Sequence, residues 1–199
     1  MAKGEETREH ILRQAAEVFN RLGYAGASVS DLEAATGLRT GGIYRHFPGG
    51  KDVLAREAFR YAVRSFDERF AEAAATPGDA LAKLNAVIGV YRRHAVEPPL
   101  AGGCPVMNTA IEHDAGGNAE LRKLARRAMD RWLGIVTTIV AEGQGRGEIR
   151  KRPSPEAVAS IVLSTMQGAI MLAGLYRDAA HVDRSAEQLA MYLEDVLRP

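Results

Sequence analysis

Cysteine is almost missing from this sequence. One residue of 199, Cys104, carries a thiol, which excludes an intramolecular disulfide and a cysteine-rich zinc site. No excess of charge of either sign is present: 26 basic residues stand against 25 acidic ones, a net of +1. A pervasively basic nucleic-acid-binding chain is thereby excluded, and any such argument must rest on local charge. A long uninterrupted apolar run is also lacking. The nearest, Val158 to Tyr176, is broken by Ser160, Ser164, Thr165 and Gln167, so no membrane span is expected. Met1-Ala2-Lys3-Gly4-Glu5-Glu6 lacks the apolar core of a signal peptide. The expectation is a soluble, cytoplasmic protein. Strict alternation of apolar and polar residues is absent too, which leaves no convincing strand.

What remains is ordinary globular composition, 46% hydrophobic and 26% charged, long enough for one large or two small domains. Long proline-free runs carry helical periodicity. Ile11, Leu12, Ala15, Ala16, Phe19 and Leu22 form one apolar stripe that ends at Gly23. Ser28 with Asp31 forms a capping box for a short second helix, with Ser30 and Glu33 as a rival start, and Gly37 stops it at Thr36. A third helix over about Thr40–Phe47 ends at Pro48-Gly49-Gly50. A fourth runs from about Lys51 to Ala75 and a fifth from Asp79 to Val96. Cys104-Pro105 is the cap and first position of a sixth, reaching His113. After a turn at Asp114-Ala115-Gly116-Gly117-Asn118 come three more: Asn118 to Glu142, Ser154-Pro155 to Tyr176, and Asp183 or Ser185 to about Arg198. The fold class is all-α, with about nine helices.

A short helix, a glycine turn and a second short helix make a helix-turn-helix, whose second element enters the DNA major groove. From Ala34 to Lys51 no acid occurs, while Arg39, Arg45 and Lys51 contribute three positive charges and His46 a titratable fourth. Residues 1–33 hold four basic and six acidic residues. The region is therefore polarised, and its bland alternative is a hairpin with a solvated basic face. In the DNA reading, Arg39 and Thr40 face base edges. Gly41 and Gly42 weaken the helix and imply a close backbone approach. Tyr44, Arg45, His46, Ser28 and Lys51 complete the interface, with Tyr44 and Lys51 placed for phosphate oxygens.

Gly23-Tyr24, Ser28-Val29-Ser30-Asp31-Leu32, Ala35-Thr36-Gly37-Leu38, Gly41-Gly42-Ile43-Tyr44-Arg45-His46-Phe47 and Lys51-Asp52-Val53-Leu54 resemble, in order and spacing, the N-terminal domain of TetR-family regulators. The resemblance covers roughly the first 55 residues. It implies a homodimeric regulator, usually a repressor, with residues 1–50 binding DNA and residues 51–199 serving for ligand binding and dimerisation. Arg39 stands where the family commonly has a small polar cap, and Thr40 where a lysine often follows, so base preference does not transfer. Phosphate-contact roles carry over to Ser28, Tyr44 and Lys51.

The helix after Pro155 is apolar almost all round and must be covered on more than one side. Ser160, Ser164 and Gly168 make a small-residue row. With Leu172 and with Leu189, Tyr192, Leu193 and Val196 of the last helix, they are expected to form a two-helix dimer surface, a four-helix bundle across a two-fold axis. The alternative is burial within one chain. Phe66, Ile88, Tyr91, Cys104, Met107, Asn108, Ile111, Trp132, Met166 and Ile170 are expected to line a ligand cavity, with Phe59, Leu84 and Ile135 as further candidates, although each alone reads as plain core. Gly102-Gly103-Cys104-Pro105 with Asn108 and Glu112 resembles the Gly-Cys-x-x-x-Asn-x-x-x-Glu segment of a TetR subgroup, which implies a place beside the ligand cavity. Asn108 and Glu112, one turn apart, are placed to bond each other or a ligand.

No catalytic constellation, metal site or cofactor is expected. Gly143-Gln144-Gly145-Arg146-Gly147 follows a helix and reads as a helix terminator rather than a nucleotide loop. Arg122, Lys123, Arg126 and Arg127 read as a solvated face. The function expected is a repressor released from a palindromic operator by a small, largely apolar inducer. Two rivals stand beside it: thiol sensing of oxidants or electrophiles at Cys104, and a helical small-molecule-binding protein without DNA binding.

Overall fold

A computed structural model describes residues 3–114 and 117–199, excepting the side chain of Lys3. Among these residues there are nine helices and no strand: α1 (Lys3–Gly26), α2 (Val29–Thr36), α3 (Thr40–His46), α4 (Gly50–Ala74), α5 (Ala80–Val96), α6 (Pro105–Glu112), α7 (Ala119–Gly145), α8 (Pro155–Tyr176) and α9 (Ala180–Leu197). Most boundaries follow local chemistry. The Ser28–Asp31 capping box closes the start of α2, and Gly37, left-handed at φ 70°, ends it. Ser154 accepts from the Ala157 amide ahead of Pro155. Gly147, at φ 73°, follows the end of α7. Of the turn expected at 114–118, Ala115 and Gly116 lie outside the described residues, as do Met1 and Ala2 at the start.

The expected start of α2 at Ser28 holds and its rival at Ser30 is not used; one start and two stops differ from expectation, the stop of α7 among them, since that helix runs to Gly145 rather than Glu142. Glu33 does not cap α2; its carboxylate accepts from the Thr40 amide at 2.6 Å and the Thr40 hydroxyl at 2.7 Å, and so caps α3. The last helix starts at Ala180, ahead of Asp183 and Ser185, because Asp178 Oδ1 accepts from the Ala180 amide at 2.9 Å. At Gly23 the backbone leaves helical values (φ 75°, ψ 168°), yet one further turn continues to Gly26.

The chain packs as two compact units, residues 1–65 with 99–128 and residues 66–98 with 129–199. The division falls within α4 and within α7. In the first unit Ile11, Ala15, Leu32, Ile43, Phe47, Leu54 and Ala58 form one core that joins the first four helices. The loop before α6 is tied to α1: Asn20 Nδ2 donates to the carbonyls of Ala101 at 2.8 Å and Gly103 at 3.0 Å. Gly102, at φ 104°, leaves room for this, since a Cβ there would lie 2.8 Å from the Asn20 carbonyl oxygen.

In the second unit Phe66, Phe70, Tyr91 and Trp132 are packed ring against ring, Phe70 and Trp132 stacked at 5.2 Å and 8°. The indole N–H of Trp132 is satisfied by Asp67 Oδ1 at 2.8 Å, as a buried indole requires. Helices α5, α8 and α9 pack mutually. By length and composition α8 is apolar enough to cross a membrane, but 44% of that segment is buried within the protein, so its apolar composition reflects a core face plus an apolar outer face. Ile161, Met171, Leu175 and Tyr176 of α8 and Met191 and Tyr192 of α9 stay exposed.

Candidate functional site

The basic residues lie at the N-cap of α3, in its last turn and at the start of α4, with Arg39 and Arg45 exposed and His46 and Lys51 intermediate. Arg39 occupies the N-cap position of α3 without capping it, its side chain 93% exposed and 3.6 Å from Glu33. Freed from that role by Glu33, its guanidinium points into solvent. The bonds from Thr40 hold the Glu33 carboxyl below the usual range. Asp31 is lowered likewise by the Ser28 hydroxyl and amide. The acids of α2 are thus committed to helix caps, and Asp52 beside Lys51 accepts from the Tyr24 hydroxyl.

Within α3, Ile43 faces the core and Arg45 faces solvent. A Cβ at Gly41 would meet nothing of its own chain within 4 Å, and one at Gly42 only Leu38 at 3.7 Å. Among the described residues, Leu38 alone comes within 4 Å of a Cβ at those two positions. Tyr44 is half-buried, which raises its phenol pKa. Ser28 is exposed, Thr40 and His46 are intermediate, and the Lys51 ammonium sits 4.6 Å from the Tyr24 ring centre. Tyr24 donates its hydroxyl to Asp52, and that bond is the main reason its pKa is raised.

Similarity to known proteins decides the family. The chain matches the model of bacterial regulatory proteins of the tetR family over residues 11–58, and that of the tetracyclin repressor-like C-terminal domain over residues 80–189. A crystallised TetR transcriptional regulator from Chloroflexus aurantiacus J-10-FL is 43% identical, covers 100% of this chain and 99% of its own, and superposes with a TM-score of 0.93. The chain belongs to the TetR family of transcriptional regulators. A second family structure, from Cytophaga hutchinsonii, is 28% identical over 98% of this chain and 97% of that one, with a TM-score of 0.84. The HTH-type transcriptional repressor DhaR of Mycobacterium sp. (strain GP1) is 26% identical over 181 residues, 89% of this chain and 87% of that protein. The regulator is therefore a DNA-binding protein with a helix-turn-helix. Its family consists of transcriptional regulators rather than enzymes.

The residues expected around a ligand divide between the units. Phe66, Ile88, Tyr91, Trp132, Met166 and Ile170 belong to the second and are buried; the rings fill the space between them. Cys104, Met107, Asn108 and Ile111 belong to the first. Ile111 is 69% exposed, which removes it from any enclosed lining. Asn108 and Glu112 do not bond each other. Asn108 Nδ2 donates to the Gly102 carbonyl at 2.7 Å and to Asn20 at 3.1 Å. Glu112 accepts from the amides of Tyr24 at 2.8 Å and Ala25 at 2.7 Å, just beyond the Gly23 kink. The glycine-cysteine segment is therefore a tie onto α1. Cys104 is buried, which does not favour the thiol-sensing alternative.

In the first unit a cavity is lined by Ala16, Phe19, Asn20, Tyr24, Ala55, Ala58, Phe59, Ala62, Pro105, Thr109, Glu112, His113 and Leu121. Of these, Phe59 is among the residues expected around a ligand, and Glu112 was expected to bond either Asn108 or a ligand. Asn20, Tyr24 and His113 carried no readable signal, since their partners lie 81 to 89 positions away or across a turn.

The residues expected at a dimer surface also differ in burial. Ser160, Ser164 and Tyr192 are exposed, Gly168, Leu172 and Val196 are intermediate, and Leu189 and Leu193 are buried inside their own chain. An outward role for Leu193 is corrected by the packing of α9 on α5 and α8, which takes that row for the core. A shallow groove runs beside Ile161, Thr165, Arg184, Ser185, Gln188, Leu189 and Tyr192. Arg122, Lys123, Arg126 and Arg127 are exposed, as a solvated face requires.

Proposed function

We propose that the regulator is a homodimeric, cytoplasmic repressor that holds a palindromic operator through Ser28, Arg39, Thr40, Gly41, Gly42, Tyr44, Arg45, His46 and Lys51. The observation that carries this reading is the acid-free exposed surface of α3, whose nearest acids are engaged as helix caps. Lys51, Tyr44 and Ser28 contact phosphates and set the register, while Arg39 and Thr40 approach base edges. The glycines let the backbone of α3 come close to DNA. A dimer places two such helices on half-sites about one helical turn, or a multiple, apart. The dimer surface is the exposed part of α8 and α9: Ser160, Ser164, Ile161 and Tyr192, with Gly168 and Leu172 beside them.

Residues 1–50, together with Lys51 at the start of α4, supply the DNA contacts in this reading, and the rest of residues 51–199 the control. A small, largely apolar inducer enters the second unit by parting the aromatic core, and α4 is the lever. That helix starts beside Lys51 and carries Phe66 and Phe70. Release from DNA requires that the inducer prefer the conformation with the wrong half-site spacing.

The test is salt-dependent binding to a palindromic fragment selected from a random pool. Lys51→Ala and Arg45→Ala should weaken binding and lower the salt slope by about 0.9 for each phosphate that is no longer neutralised. Unchanged affinity and slope in both variants would remove the proposed interface.

A further inference from the structure

We propose that the first unit holds an effector site of its own: the cavity lined by α1, α4, α6 and the start of α7 takes a small neutral carbonyl or hydroxyl compound and reports its occupancy to Lys51 through Tyr24. The proposal rests on the DNA-binding reading for its readout. It goes beyond that reading in the place and class of the ligand.

The walls are apolar, built by Ala16, Phe19, Ala58, Phe59 and Leu121, and one end is polar, with Thr109, Glu112 and His113. His113 is 3% exposed and its Nε2 has no hydrogen-bond partner among the described residues. The Nδ1 atom accepts from the Asn118 amide at 3.2 Å, so the neutral ring carries its proton on Nε2. That buried N–H lies 3.7 Å from Glu112 Oε2, and both side chains line the cavity. A buried donor without an acceptor is costly, and an incoming oxygen relieves it.

The Glu112 carboxylate sets the sign of the ligand. It already accepts two backbone amides and repels a second carboxylate, which leaves a carbonyl or hydroxyl oxygen as the group that His113 can hold. A hydroxyl also donates to Glu112. The cavity offers about 30 Å³ to the centres of water-sized atoms, room on the order of two or three waters. The compound therefore has few non-hydrogen atoms, and its Kd is on the order of 10⁻⁴ M at the tightest.

Tyr24 gives the site its output. Its ring lines the cavity and lies 6.1 Å from His113, edge to face. Its amide donates to Glu112, its hydroxyl to Asp52, and the Lys51 ammonium rests on its face. A ligand that shifts Glu112 or Tyr24 moves the support of Lys51 and weakens the phosphate contact. Operator binding then disfavours the ligand by the same factor.

The experiment uses the full-length regulator with ¹³C-labelled histidine rings and titrates propanone and 2-propanol, with acetate as the charged control. Operator affinity is followed in parallel by fluorescence anisotropy. A saturable shift of the His113 ring signal with either neutral compound is expected, none with acetate, and a loss of operator affinity on the order of fivefold. His113→Phe removes the donor, and Ala58→Val fills the cavity while keeping the His113 signal; each should reduce the ratio of affinities with and without ligand to one. No saturable His113 shift, or an equal shift with acetate, overturns the site. A saturable shift without change in operator affinity overturns the readout. A regulator that binds no selected DNA at all defeats the DNA-binding reading and with it the readout, while the ring signal still decides the cavity.

Discussion

His94, in α5, is buried against Phe66 at a ring separation of 4.6 Å, and its Nδ1 has no hydrogen-bond partner among the described residues. Burial lowers its pKa from the ordinary 6.5 to about 4, and the nearby charge of Arg69 pushes in the same direction. Between those two values the unfolded chain binds a proton that the folded chain refuses. Stability therefore falls as pH drops through this window, and the loss levels off below the folded pKa. At full extent the depression amounts to about 3 kcal/mol, and about 2 kcal/mol is already lost near pH 5.

Replacing His94 by Phe keeps an aromatic ring against Phe66 and removes the titration. Urea unfolding of both proteins, at equal protomer concentration, near pH 7.5 and near pH 5, isolates this group from the carboxylates that titrate lower. The variant should gain about 2 kcal/mol on the parent between the two pH values. A difference that stays constant within about 0.5 kcal/mol would mean that His94 is hydrated or paired in the folded protein, and the burial argument fails.

Glu112→Ala removes the acceptor of two amides at the Gly23 kink; allowing for its partial exposure, the loss is about 2 kcal/mol, seen as a thermal midpoint lower by roughly 4–8 °C. An unchanged midpoint would show that water replaces the carboxylate without cost. Gly37→Ala has open space around the new methyl and is penalised only by the left-handed backbone, about 1–2 kcal/mol in the same measurement. Tyr192→Asp puts a charge on the exposed face of α9 and should yield a monomer by light scattering, together with a loss of palindrome affinity. A dimer that survives moves the interface elsewhere.

Local chemistry in the sequence determined the all-helical class, most helix ends and the helix-turn-helix. Caps and glycine stops such as Ser28 with Asp31, Gly37 and Ser154-Pro155 act within three or four residues and are legible without a fold. The charge asymmetry between residues 1–33 and 34–51 was equally plain. What the side chains of α6 do was not legible. Asn108 and Glu112 share a helical face, which allowed a bond to each other, but their partners on α1 lie some 88 residues away. The start of α9 was misplaced because Asp178, not Asp183 or Ser185, supplies the cap. Likewise the apolar rows of α8 and α9 do not reveal which residues face inward; only packing against α5 buried Leu189 and Leu193 and left Tyr192 outside. The cavity beside His113 exists because four helices distant in sequence meet there. Short-range rules determined the elements, and long-range packing alone decided which polar groups were left for a ligand.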